Sequence, residues 1–127
     1  MFDTSFKDQY LEAARVSEGE SPALSFYKEL IQEQQRYQAL QDVLQRAYNQ
    51  AAKGKGAERH GTDLPFEDQP MQSISKLLGT EDGLLYQAMK KIQESTRLDR
   101  DASIKELLGA INYLAGAVIF IENNWEQ

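Results

Sequence analysis

The sequence of 127 residues contains no cysteine, one histidine and three prolines. The lack of cysteine excludes disulfides and a Cys/His nucleophile pair, and a single histidine adds too little to build one of the usual zinc sites. Basic residues are also scarce, with 14 against 20 acidic residues and a net charge of −6. Because a general nucleic-acid binder needs a basic face, this charge argues against binding to a nucleic-acid duplex.

Long hydrophobic runs are missing as well. No stretch approaches the roughly 20 apolar residues of a membrane span, and the opening residues MFDTSFKDQYLEAAR lack the basic-then-apolar order of a signal peptide. We therefore expect a cytoplasmic protein without membrane contact. The length suits one domain that buries its own core, so the fold needs no metal or disulfide.

Helical periodicity runs through the chain, and strand signals are nearly absent. A first short helix is predicted from about Thr4 to Val16. Ser21 and Pro22 then supply a capping hydroxyl and a first-turn proline, and no breaker follows before Lys53. An uninterrupted helix from Pro22 to Lys53 would span roughly 48 Å. So long an amphipathic helix favours packing against a second copy and predicts a homo-oligomer, with a kinked helical hairpin as the alternative.

Three further helices are predicted in the second half of the chain. The first runs from Pro70 to Leu78 and is ended by Gly79. The second is capped by Thr80 and runs to about Thr96. The third begins at Asp99 or Asp101 and runs to about Asn123. On the first of them, the side chains expected to face inward are Met71, Ile74, Leu77 and Leu78. The last is rich in glycine and alanine, which permit close helix approach, and is expected to be the most buried segment.

The predicted fold class is therefore all-α, a long amphipathic helix plus a small helical bundle, in an oligomeric protein. We treat residues 1–127 as a single helical domain. Within it, residues 1–52 form the N-terminal helices and the oligomerisation arm, and residues 53–127 form a ligand-binding core.

The chemistry of the chain concentrates in the segment that follows the long helix. Four basic residues and one acid lie between positions 46 and 60, so this segment carries a charge of +3 within an acidic protein. Lys53 and Lys55 flank a glycine that lets the backbone approach a ligand closely. Arg59 offers a fork for two phosphate oxygens, and His60 can donate or accept a hydrogen bond beside it. The pattern indicates a phosphate-bearing ligand, with a solvated linker as the competing interpretation.

Three more residues are candidates for contact with a base or ribose: Gln69, Tyr86 and Lys90. Lys90 and Lys91 could both join the basic segment around an anion, but the wet side of an amphipathic helix is the preferred reading, above all for Lys91. Asn112 interrupts an apolar helix and, if buried, needs a partner, for which a backbone group or another helix is favoured over a ligand.

The enzymatic alternative is an all-α nucleotide pyrophosphohydrolase of the MazG or dUTPase type. Such enzymes hold magnesium with Glu-x-x-Glu and Glu-x-x-Asp steps on facing helices. Here Glu29 and Glu33 are four residues apart instead of three, and Glu94 has no acidic partner at that spacing. The residue three positions after Glu106 is Gly109, which is not an acid. Because the pattern departs from that family at the metal ligands, we assign no catalytic residue, no metal ligand and no cofactor.

Four segments resemble a family of small, mostly hypothetical proteins of tailed phages: KGKGAERH, PFEDQP, QAMKKI and ELLGAINY. The resemblance covers about residues 50 to 122. In size, helical make-up and basic glycine segment the chain also resembles phage anti-defence sponges. That likeness implies a closed oligomer in the host cytoplasm that sequesters a nucleotide messenger made by a Thoeris or CBASS system.

Two binding functions follow as expectations. The first is sequestration of a small nucleotide-derived signal, of the cyclic oligonucleotide or cyclic ADP-ribose type, without catalysis. The second is protein–protein inhibition of a host enzyme, which the net charge of −6 and the long amphipathic helix would serve.

Overall fold

The computed structural model describes residues 21–54 and 64–125, and every element within them is helical, which confirms the all-α class. The elements are α1 (Pro22–Arg36), α2 (Gln38–Lys53), a 3-10 helix (Phe66–Asp68), α3 (Pro70–Leu78), α4 (Asp82–Ser95) and α5 (Arg100–Asn124). The chain divides into two compact units, residues 1–40 and 41–127. The helix predicted from Thr4 to Val16 lies outside the described residues.

The start of α1 follows from its first two residues. The Ser21 hydroxyl accepts the Leu24 N–H at 3.1 Å, and Pro22 occupies the first turn, where no intrahelical N–H is needed. The predicted uninterrupted helix to Lys53 is wrong, because α1 ends at Arg36 and Tyr37 leaves the helix with φ −107° and ψ 10°. The sequence does not signal this break, since it contains neither glycine nor proline there.

Local signals set the ends of the later helices as well. Gly79 ends α3 in the left-handed conformation, with φ +79°, which glycine adopts without steric penalty. The Thr80 hydroxyl accepts the Asp82 N–H at 3.1 Å, but the capping position of α4 is Glu81 and not Thr80 as predicted. At α5 the choice between two aspartates falls on Asp99, whose carboxylate accepts the Ala102 N–H at 3.0 Å.

The inward face of α3 differs from the predicted one. Gln72 and Ser75 are buried and Met71 is half-buried, whereas the other three apolar side chains are exposed: Ile74, Leu77 and Leu78. The Gln72 side-chain amide donates to the Gly116 carbonyl at 2.8 Å, so its polar group is satisfied within the interior. At Gly116 a Cβ would lie 2.8 Å from the Met71 sulfur, and this close approach brings α3 against α5.

The core of the unit formed by residues 41–127 lies between α4 and α5. Leu84 on α4 packs with Ala117 and Phe120 on α5. Half-buried side chains surround this cluster: Met71, Leu85 and Tyr113. The small residues of α5 do permit close packing as predicted, because four of them are buried: Gly109, Ala110, Gly116 and Ala117.

Within the described residues, α5 is also long and apolar enough to cross a membrane. Length and composition alone support this, and the core helix of a soluble protein meets the same criteria. Burial of Leu108 and Phe120 within the helical bundle shows that part of its apolar surface already serves the protein core.

Candidate functional site

The predicted phosphate site falls mostly outside the described residues, since these include Lys53 but not Lys55, Arg59 or His60. Lys53 is exposed and is the last residue of α2. A cation in the last turn of a helix stabilises the negative end of its dipole. Lys53 therefore has a structural explanation in addition to the predicted one, and an anion beside it would have to be held by side-chain cations and not by the helix dipole.

The end of α2 is held in place by two polar side chains. The Asn112 side-chain amide on α5 donates to the Ala47 carbonyl at 2.9 Å. The Gln50 side-chain amide on α2 donates to the Lys105 carbonyl at 3.3 Å. The favoured partner for Asn112, the backbone of another helix, is thus confirmed. Gln50 was not among the candidate residues, yet both bonds orient the last turns of α2 and hence Lys53.

Gln69 has a structural role at the start of α3. Its side-chain amide donates to the Leu64 carbonyl at 3.3 Å, and its backbone carbonyl accepts the Gln72 N–H at 2.8 Å. It also separates the 3-10 helix from α3. Residues 64–70 are therefore joined to the start of α3 by these hydrogen bonds.

Tyr86 and Lys90 lie one turn apart on α4, and both side chains are exposed. This spacing places them on the same face of the helix. Within the described residues, no hydrogen bond or ion pair joins them to Lys53 or Gln69. Of the four candidate binding residues in the described part of the chain, the structure thus places two, Tyr86 and Lys90, on the same surface.

Lys91 points toward α5, and the preferred reading that it faces solvent is wrong. Its ammonium group lies 3.5 Å from a Glu106 carboxylate oxygen, and the two side chains are only 23% and 26% exposed. The same group lies 5.9 Å from the centre of the Tyr113 ring, within range of a cation–π interaction. Gly109 makes room for the stem of Lys91, because a Cβ there would lie 3.0 Å from its Cδ.

Replacing Lys91 with alanine is expected to lower the free energy of unfolding by about 1 kcal/mol, since the ion pair, the ring contact and the packing of the stem are lost together. Lys90→Ala is the matched control, because this neighbouring lysine is exposed, and its effect should stay within about 0.5 kcal/mol. Urea denaturation followed by circular dichroism measures both variants. Equal losses would contradict the inward placement of Lys91.

The acidic residues weighed as magnesium ligands have separate surroundings. Glu106 pairs with Lys91, and both Glu29 and Glu33 are exposed on α1. Across residues 21–54 and 64–125, no group of three or more His, Asp or Glu side chains is arranged to hold a metal ion.

In the comparisons with known proteins, no family model, no curated protein and no solved structure matches the chain. The chemistry of its own residues therefore carries the functional argument.

Proposed function

We propose that the protein binds a small, phosphate-bearing, nucleotide-derived ligand and sequesters it without chemical change, as a homo-oligomeric anti-defence protein of a phage in the host cytoplasm. The observation that carries this proposal is the +3 charge over residues 46–60 in a chain of net charge −6. A concentrated cationic segment attracts a phosphorylated anion despite the repulsion from the rest of an acidic protein.

In this proposal Lys53, Lys55, Arg59 and His60 hold the phosphates. Glycines between these residues let backbone N–H groups reach the same anion. On α4, the exposed ring of Tyr86 offers a stacking surface for a base, and the ammonium group of Lys90 one turn later offers a further charge. Gln69 keeps its place as a candidate, although one of its amide hydrogens already binds the Leu64 carbonyl.

The first experiment identifies the ligand. The protein is mixed with a panel of cyclic oligonucleotides, cyclic and linear ADP-ribose isomers and nucleoside triphosphates, separated from free ligand, then heat-denatured, and the released material is chromatographed. Return of one intact compound supports sequestration. Return of a hydrolysed product supports the pyrophosphohydrolase alternative, and retention of nothing contradicts the proposal.

Substitution of the basic residues tests the site. Arg59→Ala and Lys55→Ala should each weaken binding of the retained compound tenfold or more, because a hydrogen bond to a charged group contributes about 1.5–3 kcal/mol. Arg97→Ala is the matched control, since Arg97 is an exposed arginine that lies outside the basic segment, and its affinity should be unchanged. Calorimetric titration measures all three. Normal affinity in both Arg59→Ala and Lys55→Ala would show that the site is wrongly assigned.

The second candidate is inhibition of a host enzyme through a protein–protein interface. The observation in its favour is the exposure of large apolar side chains, Phe26 and Leu30 on α1 and, separately, Leu40, Leu44 and Tyr48 on α2. Exposed apolar surface of this extent is typical of interaction sites. This candidate predicts that the variants of the basic segment keep full activity, whereas charge reversals on α1 and α2 abolish it.

A further inference from the structure

Helix α5 carries apolar side chains on two opposite sides. Its inner side consists of buried residues that pack within the bundle: Gly109, Ala110, Gly116, Ala117 and Phe120. Its outer side carries larger apolar residues, which we call the outer stripe: Ile104, Leu107, Ile111, Leu114, Val118 and Ile121, followed by Trp125 at the end of the helix. A helix that is apolar on both sides has a second surface to cover.

The outer stripe follows the heptad spacing of a coiled coil. Its steps alternate between three and four residues from Ile104 to Trp125 without interruption. The first type of position comes three residues before the second; it holds the β-branched residues Ile104, Ile111 and Val118, and its fourth member is Trp125. Positions of the second type hold Leu107, Leu114 and Ile121. β-branched residues at the first position and leucine at the second favour two parallel helices, and two of the three second positions are leucine.

The side chains of this stripe are uncharged; four of them are exposed, and Ile104, Ile111 and Ile121 are half-buried. Leu107 is 42% exposed, Leu114 45%, Val118 53% and Trp125 66%. The charged residues nearest the stripe, Lys105 and Glu122, are exposed and lie beside its positions, and Glu106 is engaged by Lys91. A second copy would therefore meet an apolar seam without burying an unpaired charge.

We propose that two copies of the chain pair in parallel along the outer stripe of α5. If pairing covered all the exposed parts of the stripe, roughly 500 Å² in each copy, it would bury at most about 1,000 Å² in total, the lower limit of a specific interface. The proposal does not depend on ligand binding. It assigns self-association to α5, whereas the sequence alone had suggested the N-terminal helices.

A lipid bilayer is the other environment that an apolar helix of this length could enter. The contacts on the inner side of α5 favour a second copy instead. Lys91 and Glu106 form their ion pair at the second turn of the helix, and Gln72 binds its backbone at Gly116. Membrane insertion would carry these polar groups into hydrocarbon, where ionisable side chains are costly.

Sedimentation equilibrium of the full chain over a range of concentrations tests the pairing. The wild-type protein should be dimeric, and Leu114→Glu and Val118→Glu should each raise the dimer dissociation constant at least 30-fold, because an uncompensated charge would enter the seam. Leu77→Glu and Met89→Glu are the matched controls, since both residues are exposed and apolar but lie on α3 and α4, and their dissociation constants should match the wild type. A monomeric wild type at 100 µM, or equal weakening by the controls, would overturn the proposal.

The absence of cysteine allows the orientation to be tested by single substitutions. In a parallel pair, Leu107→Cys and Ile121→Cys each place two thiols opposite each other, so each variant alone should form a covalent dimer under mild oxidation. In an antiparallel pair a position of the second type faces one of the first type, so neither variant would form the bond, and this outcome would overturn the parallel arrangement. Circular dichroism confirms that every variant stays helical.

The single tryptophan provides a separate readout, because Trp125 lies at the end of the stripe. Its emission should shift to shorter wavelength as the protein concentration passes through the dimer dissociation constant. Flotation with phosphatidylcholine vesicles addresses the membrane alternative. Wild-type protein that floats, and loses this property in Leu114→Glu, would overturn the proposal in favour of a membrane-binding stripe.

Discussion

Replacing Phe120 with alanine is expected to lower the free energy of unfolding by about 3–5 kcal/mol, as truncation of a buried phenylalanine leaves a cavity. Phe120 is buried and belongs to the cluster formed with Leu84 and Ala117. The loss is large against a total stability of about 5–15 kcal/mol for a typical domain. Urea denaturation at a fixed, low protein concentration measures it without interference from self-association.

Phe26→Ala is the matched control for this prediction, because it removes the same side chain from an exposed position on α1. Its effect should stay within about 0.5 kcal/mol. Similar losses in the two variants would contradict the assignment of the core to the contact between α4 and α5.

The Gln72→Glu variant is expected to destabilise the protein by about 3–5 kcal/mol at pH 7, because it places an unpaired charge in the interior. Gln72 is 1% exposed, and its amide donates to the Gly116 carbonyl at 2.8 Å. An ionised carboxylate has nearly the same shape but cannot donate to that carbonyl. The loss of stability in this variant therefore reports the lost hydrogen bond and the buried charge, with little contribution from a change in side-chain volume.

The pH dependence of the Gln72→Glu variant has a definite sign. Burial raises the pKa of the introduced carboxyl above its unfolded value of about 4.3. The folded state then binds more protons than the unfolded state, so the variant is least destabilised below about pH 4 and loses stability as the pH rises through the folded pKa. Gln93→Glu is the control, since Gln93 is exposed on α4. The stability of this variant should stay close to that of the wild type at both pH 4 and pH 7. A flat difference between Gln72→Glu and the wild type from pH 4 to 7 would contradict the buried position.

Most of the correct predictions concerned where helices begin and end, and they rested on residues close to those ends. Pro22 begins α1, Gly79 ends α3, and Asp99 caps α5 as one of the two aspartates proposed for that position. These positions are readable because a capping oxygen, a ring without an N–H or a left-handed glycine acts on its own neighbours. The break at Tyr37 escaped prediction, since it carries no such signal.

Contacts that join distant positions were harder to predict from sequence, and most of the candidate phosphate site lies outside the described residues. The inward placement of Lys91 depends on Glu106, Gly109 and Tyr113, which come 15 or more residues later on another helix. A basic residue next to another basic residue on an amphipathic helix gives no indication of which one turns inward. Asn112 was more informative, because an amide within an apolar run requires a hydrogen-bond partner, and it finds one at Ala47.

The sequence by itself determined the helical class, the ends of several helices, and the charge of +3 that suggests a phosphate ligand. Only the tertiary structure decided which side of each helix faces inward. On α3 the polar Gln72 is inside and Leu77 is outside, because close approach at Gly116 brings a carbonyl within reach of the amide. On α5 four small residues are buried, Gly109, Ala110, Gly116 and Ala117, whereas the larger residues of the outer stripe are exposed or half-buried. Hydrophobicity alone would predict that the larger apolar residues are buried and the smaller or polar ones exposed. It does not account for close helix contacts, where only small side chains fit.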